Sequence, residues 1–266
     1  MKAKELLDAN QLSAAILELN QAVKHHPTDI RIRTFLFELL CFDGAHERAA
    51  RQLDVLGAQD EQAGIGVEVY RKLLQADGAR RTWLSGGAGP AFMADPPEHV
   101  KERLTAMVSL SRGDVQQAIE AIARANSATP PISGTLNGQG FRTFADSDDR
   151  FGPVLELFVN GAYMWLPLEQ IKTLVLPRPH FLRDLLWVPA QLECHDGQQG
   201  DVFLPALYSR SEIDENEQVR LGRLTEWIDL GEGLVGGRGL KTFLVDDVEC
   251  SVLEIQELHI NREGSE

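Results

Sequence analysis

Cysteine is scarce in this chain of 266 residues: Cys41, Cys194 and Cys250 are its only three. So few thiols, so far apart, make neither a disulfide framework nor a thiolate metal site. Cys41 and Cys194 fall in apolar or strand-like runs, where cysteine serves as a small buried hydrophobe. Long apolar runs are missing too. None is long enough to span a bilayer, and no basic-then-apolar leader precedes the first helix, so a reducing cytoplasm is the expected compartment. Positive charge is also short, with 26 Lys and Arg against 40 Asp and Glu. Residues 1–130 carry 15 basic and 17 acidic side chains, whereas residues 131–266 carry 11 and 23. A second half this acidic repels nucleic-acid phosphates and anionic membranes, and excludes membrane insertion or nucleic-acid binding as its task. Protein partners stay open.

What is present is a helical repeat. Ala15, Leu19 and Ala22 recur as Ala49, Leu53 and Leu56, and again as Ala118, Ile122 and Ala125. The first step of about 34 residues, with a small residue where helices cross, marks tetratricopeptide-type hairpins. Residues 1–9 with 11–25 read as one hairpin, 30–42 with 45–56 as a second, and 98–110 with 114–126 as the last. Asn10 and Gly113 occupy equivalent turns, where Asn tolerates the left-handed backbone, and Asp114 is the expected N-cap. A lone helix is predicted over 62–77. The glycine- and proline-rich stretch 85–97 reads as a loop, with Trp83, Phe92 and Met93 in or beside it, as a lid, a partner contact or a pin to the core.

From residue 141 the apolar period shortens toward two. Pro153–Val159, then Asn160-Gly161, then Ala162–Leu166 forms a hairpin signal, because the tight turn needs positive φ at both central residues. Further strands are predicted at 171–176, 187–194, 201–208, 224–230, 241–247 and 250–258, with a short helix at 180–186 and turns at Asp196-Gly197, Gly231–Gly239 and Asp246-Asp247. The expected class is α+β: a tetratricopeptide-like superhelix of α-hairpins over residues 1–131, a linker at 132–140, and a mostly antiparallel β-rich domain with short helices over 141–260.

The chemistry-bearing residues form no convincing constellation. His180, Cys194 and His195, with Ser209, Ser211 and Asp214, lack a nucleophile elbow, and read as surface and turn residues. Gly233–Gly239 (GLVGGRG) lacks the Lys-Ser/Thr of a phosphate loop and reads as a mobile connection. Asp146-Ser147-Asp148-Asp149-Arg150 lacks the spacing of a calcium loop and reads as a local ion-pair and turn arrangement. His25-His26 stands at a helix end, where cations suit the dipole. No catalytic, cofactor or metal residue is assigned. A stack of hairpins instead leaves a concave groove, which the first helix of each hairpin should line. That register exposes Arg31, Thr34, Glu38 and Phe42 from the second hairpin, and Arg103, Met107 and Ser111 from the last. With Trp83, Phe92 and Met93 these are the expected partner contacts.

Five stretches in order resemble the ImpE/TagJ family of type VI secretion accessory proteins: Arg33–Phe42 (RTFLFELLCF), Asp146–Gly161 (DSDDRFGPVLELFVNG), Leu182–Gln191 (LRDLLWVPAQ), Val202–Ala206 (VFLPA) and Leu221–Trp227 (LGRLTEW). The resemblance implies a cytoplasmic, non-enzymatic protein that binds the small subunit of the contractile sheath through a helix near that subunit's N-terminus. It also implies proximity to the AAA+ ATPase that recycles contracted sheath. A general scaffold or chaperone for another protein is the competing expectation, and a hydrolase with its site in the β-rich half is a weaker one.

Overall fold

The computed structural model describes residues 2–59 and 64–262. Helices α1 (Lys2–Asp8) and α2 (Leu12–His25) form the first hairpin, α3 (Ile30–Phe42) and α4 (His46–Gln59) the second. A single long helix follows, α5 (Gly64–Leu84), and then the hairpin α6 (Glu98–Ser111) and α7 (Val115–Ala128). The repeat positions Ala15, Leu19, Ala49, Leu53, Ala118 and Ile122 are buried where helices cross, which is why small and medium apolar side chains recur there. Asn10 and Gly113 take the left-handed backbone at φ 61° and 79°. Asp29 and Asp114 cap α3 and α7 by accepting from main-chain N–H groups.

α5 runs further than its apolar period predicts. Residues 62 and 63 of the predicted helix lie outside the described residues, and the far end continues to Leu84 through Gly78. The reason is tertiary. Asp77 pairs with His46 of α4, Arg80 bonds Glu156 of the sheet and Trp83 is buried in the shared core, which outweighs the roughly 1 kcal/mol that one helical glycine costs.

The second half is antiparallel. Its main sheet has eight strands, in the order β2-β1-β13-β6-β7-β8-β4-β5. These are β1 (Gly134–Leu136), β2 (Gln139–Phe141), β4 (Val154–Val159), β5 (Ala162–Pro167), β6 (Ile171–Val175), β7 (Trp187–Cys194), β8 (Gln199–Pro205) and β13 (Glu257–Ile260). A three-stranded sheet joins β3 (Phe144–Asp146), β11 (Thr242–Val245) and β12 (Val248–Ser251), and β9 (Thr225–Gly231) pairs with β10 (Leu234–Gly239). A short helix, α8 (Glu217–Arg220), precedes β9. Asn160 and Gly161 make the β4–β5 turn at φ 49° and 87°, a left-handed backbone that Asn tolerates and glycine, without a Cβ, adopts freely.

Three local expectations are corrected. Residues 132–140 are not free chain: β1 and the start of β2 lie there, and β1 pairs with the last strand, β13. The predicted strand 250–258 is two strands separated by a 3-10 turn. The glycine-rich 233–239 is neither phosphate loop nor mobile connection but largely β10, where a Cβ at Gly237 would overlap the Tyr208 ring.

The halves share a core. On β4, Val154 and Phe158 point at the helices while Leu155 and Leu157 point away, as alternation requires. One apolar cluster joins Phe37, Phe42, Leu73 and Trp83 of the helices to Phe151, Trp165, Trp187 and Leu207. A second fills the sheet's other side with Leu174, Val188, Val202 and Phe243. A smaller third one seats Leu234 on α6 and α7.

Candidate functional site

The expected open groove is mostly occupied by the chain itself. α3 is apolar nearly all round, so its concave side also needs cover, and the second half supplies it. Glu38 is buried and accepts from Arg183 Nη1 at 2.7 Å, while Arg183 Nε donates to the Tyr70 hydroxyl at 2.5 Å. The same guanidinium lies 4.1 Å from the centre of the Phe181 ring and 5.0 Å from that of Tyr70. Burial lifts the Glu38 carboxyl above its usual range, against the pull of Arg183. Phe42 sits in the shared core. Arg103 is buried as well, donating to Asp149 O at 2.9 Å and Asn126 Oδ1 at 2.6 Å, and its pKa is lowered by that burial to about 10. Exposure of Glu38, Phe42, Arg103 and Met107 on an open concave face is therefore corrected. Arg31 is exposed beside Asp29, and Thr34 is half-buried next to it on α3.

The seam between the halves is ionic as well as apolar. Arg80 on α5 makes a two-pronged contact with Glu156 on β4, both bonds at 2.7 Å. Lys241 lies 3.0 Å from Glu156 and 2.5 Å from Asp146, and the Tyr163 hydroxyl donates to Glu156 at 2.6 Å. The Tyr208 hydroxyl donates to Asp146 at 2.9 Å. Burial pushes the Glu156 carboxyl up, but Arg80 and Lys241 outweigh it and hold the group well below the carboxylate range. For Asp146 burial wins, with Asp148 adding to it against Lys241, and its pKa rises to about 6. Asp148 pairs with Arg150 and accepts from Gly237 N at 2.9 Å. The acidic run 146–150 is thus an ion-pair and turn arrangement. Sequence reasoning missed Arg80, Glu156 and Lys241. The available signal was Glu156 itself, a charge inside the apolar strand VLELFV, which demands a buried partner.

Two of the nucleophile-like residues, Ser211 and Asp214, are committed elsewhere. Ser211 Oγ donates to Tyr208 O and accepts from Gly239 N, and Asp214 pairs with Arg238 at 3.1 Å.

What stays open is a cleft of about 710 Å³ between α5, α6 and the start of α7 on one side and residues 209–213 with Leu230 on the other. Trp83, Met107 and Ser111 meet here, joined by Leu84, Leu110 and Val115 and faced by Ile213, which is 58% exposed. Arg210 and the Arg81–Glu212 pair, 3.4 Å apart, supply charge. Phe92 and Met93 do not reach it. Their loop is pinned to the β5 edge, where Ala91 N donates to Tyr163 O at 2.9 Å and Trp165 N to Ala91 O at 3.1 Å. Phe92 packs on the shared core, and Met93 borders a separate pocket of about 290 Å³ with Glu169 and His195. A shallow apolar trough of about 520 Å³ lies between Ile65 and Val69 of α5 and Phe158 and Phe203 of the sheet.

Stacked helical hairpins backed by an antiparallel sheet, with a cleft of mixed apolar and charged lining at their seam, define a protein of the α+β class. Residues 138–259 match the ImpE protein family. The chain is 34% identical over 258 residues to the type VI secretion system accessory component TagJ of Pseudomonas aeruginosa, covering 97% of this chain and 90% of that one. The crystal structure of protein VPA1032 from Vibrio parahaemolyticus superposes with a TM-score of 0.91 at 28% identity, across 99% of both chains. The chain belongs to the ImpE/TagJ family of type VI secretion accessory proteins. No helix among the described residues is long and apolar enough to cross a membrane.

Proposed function

We propose that this protein is a cytoplasmic, non-enzymatic adaptor of the type VI secretion apparatus. It binds a helix near the N-terminus of the small sheath subunit, and it works beside the AAA+ ATPase that recycles contracted sheath. Family membership supports the accessory role. The observation that carries the binding reading is the cleft, the part of the helical concave face that the second half leaves uncovered. Its volume suits a ligand of one to two helical turns, and its walls offer apolar contacts to anchors spaced i, i+3, i+4 and i+7. Trp83, Met107 and Ser111 are the proposed contacts, with Leu84, Leu110 and Ile213. Glu38, Phe42 and Arg103, buried in contacts of their own, stand outside its lining, as do Arg31, Thr34, Phe92 and Met93.

The test is titration of a peptide of the sheath subunit's N-terminal helix against the full chain and against Leu110→Glu and Ile213→Glu. Both positions are partly exposed, so the fold should tolerate the change while affinity falls about tenfold or more, the loss of one apolar anchor facing a buried charge. No binding to the parent chain sinks the reading. Undiminished binding to both variants, with loss on Val69→Glu, moves the helix to the trough between α5 and the sheet.

A further inference from the structure

β9 has one empty side. It pairs with β10 alone, and no other helix or strand packs along its length among the described residues. Over Glu226–Leu230 no backbone group bonds outside the hairpin among those residues. Such an edge is a template for another strand unless it is blunted, commonly by lysine, proline or a covering element. β9 reads TEWIDLG, with no lysine and no proline, and its charges are acidic. Glu226 and Asp229 lie on it and Glu232 follows in the turn. The nearby arginines serve other acids: Arg220 pairs with Asp43 and Glu217, and Arg238 with Asp214. Trp227 is 40% exposed, with its ring 6.0 Å from that of Tyr208, and strand alternation puts Asp229 on the same face.

We propose that the β9 edge accepts an extended, Lys- or Arg-bearing segment of a partner protein by strand addition. Main-chain bonds to the free edge supply the register, one basic side chain lies over the Trp227 indole, and the next on that face reaches Asp229. A second copy of this chain is a poor occupant. Two β9 edges paired antiparallel about Trp227 and Ile228 would set Glu226 opposite Asp229, acid against acid. The excess of acid in the second half draws a basic segment and repels an acidic one. Of β9 only Leu230 borders the cleft, so this surface is separate from the helix site.

The probe is a short peptide of alternating lysine and valine, titrated against the full chain by calorimetry and tryptophan fluorescence. Three comparisons accompany it: the same peptide with alternate backbone nitrogens methylated, a glutamate–valine peptide, and the Asp229→Lys chain. The parent pair should bind. Methylation, which removes main-chain donors and keeps the charge, should weaken it about tenfold or more, and Asp229→Lys by roughly three- to tenfold. The Leu110→Glu chain should bind it as the parent does. Equal affinity of the methylated peptide would reduce the contact to charge alone and overturn the proposal. So would equal binding of the glutamate peptide, undiminished binding to Asp229→Lys, or no binding at all.

Discussion

Glu156 is where the two halves of the molecule are held electrically, and replacing it with glutamine tests the reading of the seam. The carboxylate faces two cations, Arg80 at 2.7 Å and Lys241 at 3.0 Å, whose side chains are only 4% and 2% exposed. Glutamine keeps the shape and an acceptor but removes the charge, so Arg80 is left buried with no counter-ion in contact. Lys241 keeps Asp146. Removing one partner of a buried pair costs about 3–5 kcal/mol, and because the new amide NH2 faces donors in either orientation, Glu156→Gln falls within that range. A domain of this size loses on the order of 10 °C of Tm for such a change. Urea unfolding followed both by tryptophan fluorescence and by far-ultraviolet circular dichroism reads it. Because Phe37, Phe42 and Trp83 share one core with Phe151, Trp165 and Trp187, both signals should move together in a single transition. The double variant Arg80→Met with Glu156→Leu removes both charges and should recover at least half of the loss. A Glu156→Gln penalty under about 1 kcal/mol would refute the argument. So would two separate transitions of which the substitution moves one.

Stability should peak on the acid side of neutrality. Asp146, raised to about 6 by burial, binds more protons folded than unfolded between there and its ordinary value of 3.8, so its contribution grows as pH falls through that window. Burial also pushes Asp77 up, but Arg81 and His46 outweigh it and hold the group at about 2; Glu156 is likewise held low, so both contributions are lost as pH falls below the ordinary carboxylate range. Melting curves between pH 8 and pH 3 should thus show a maximum near pH 4–5, and a Tm that climbs steadily toward pH 8 would contradict this. Gly237→Ala should cost about 1–3 kcal/mol, because the added methyl overlaps the Tyr208 ring whose hydroxyl holds Asp146. Gly78→Ala, in open space on α5, should stabilise by about 0.5–1 kcal/mol, and chemical denaturation of the two side by side checks the contrast.

The elements governed by local chemistry were legible in the amino-acid sequence. The helical hairpins followed from their period, Asn10 and Asn160-Gly161 from their tolerance of positive φ, and β7 from its apolar alternation, at its observed bounds of 187–194. Trp83, Met107 and Ser111 were singled out and do converge on one cleft. The filling of the groove was not legible, because it is decided by pairs far apart in the chain. Arg80 and Glu156 are 76 residues apart, Glu38 and Arg183 are 145, and no local pattern links such partners. β10 was misread for a related reason. Its glycines suggest a loop, yet Gly237 is there because Tyr208 presses against the strand from elsewhere in the fold, and Gly239 because the Leu224 carbonyl does.

The five stretches that carry the family resemblance turn out to be the seam. Arg33 ties the α2–α3 turn through Pro27 O at 2.7 Å, and Glu38 in the same stretch receives Arg183. Trp187 stacks on Tyr70 at 6.3 Å. Asp146, Asp148 and Glu156 anchor the ionic network, and Phe203 of the fourth stretch packs against the shared core. Arg223 donates to Leu7 O at 2.9 Å and Asn10 Oδ1 at 2.6 Å, closing the end of α1 and its turn. The proposed contacts Trp83, Leu84, Met107, Leu110, Ser111 and Ile213 lie outside all five. Trp83 and Met107 also belong to the shared core, whereas Ser111 and Ile213 are exposed and Leu84 and Leu110 half-buried, so these four can change what the cleft grips while keeping how the fold is locked. Exchanging Leu84, Leu110, Ser111 and Ile213 for the residues at the equivalent positions of the Vibrio relative should therefore shift partner preference at little cost in Tm. A graft that unfolds the protein would show that the cleft belongs to the lock after all.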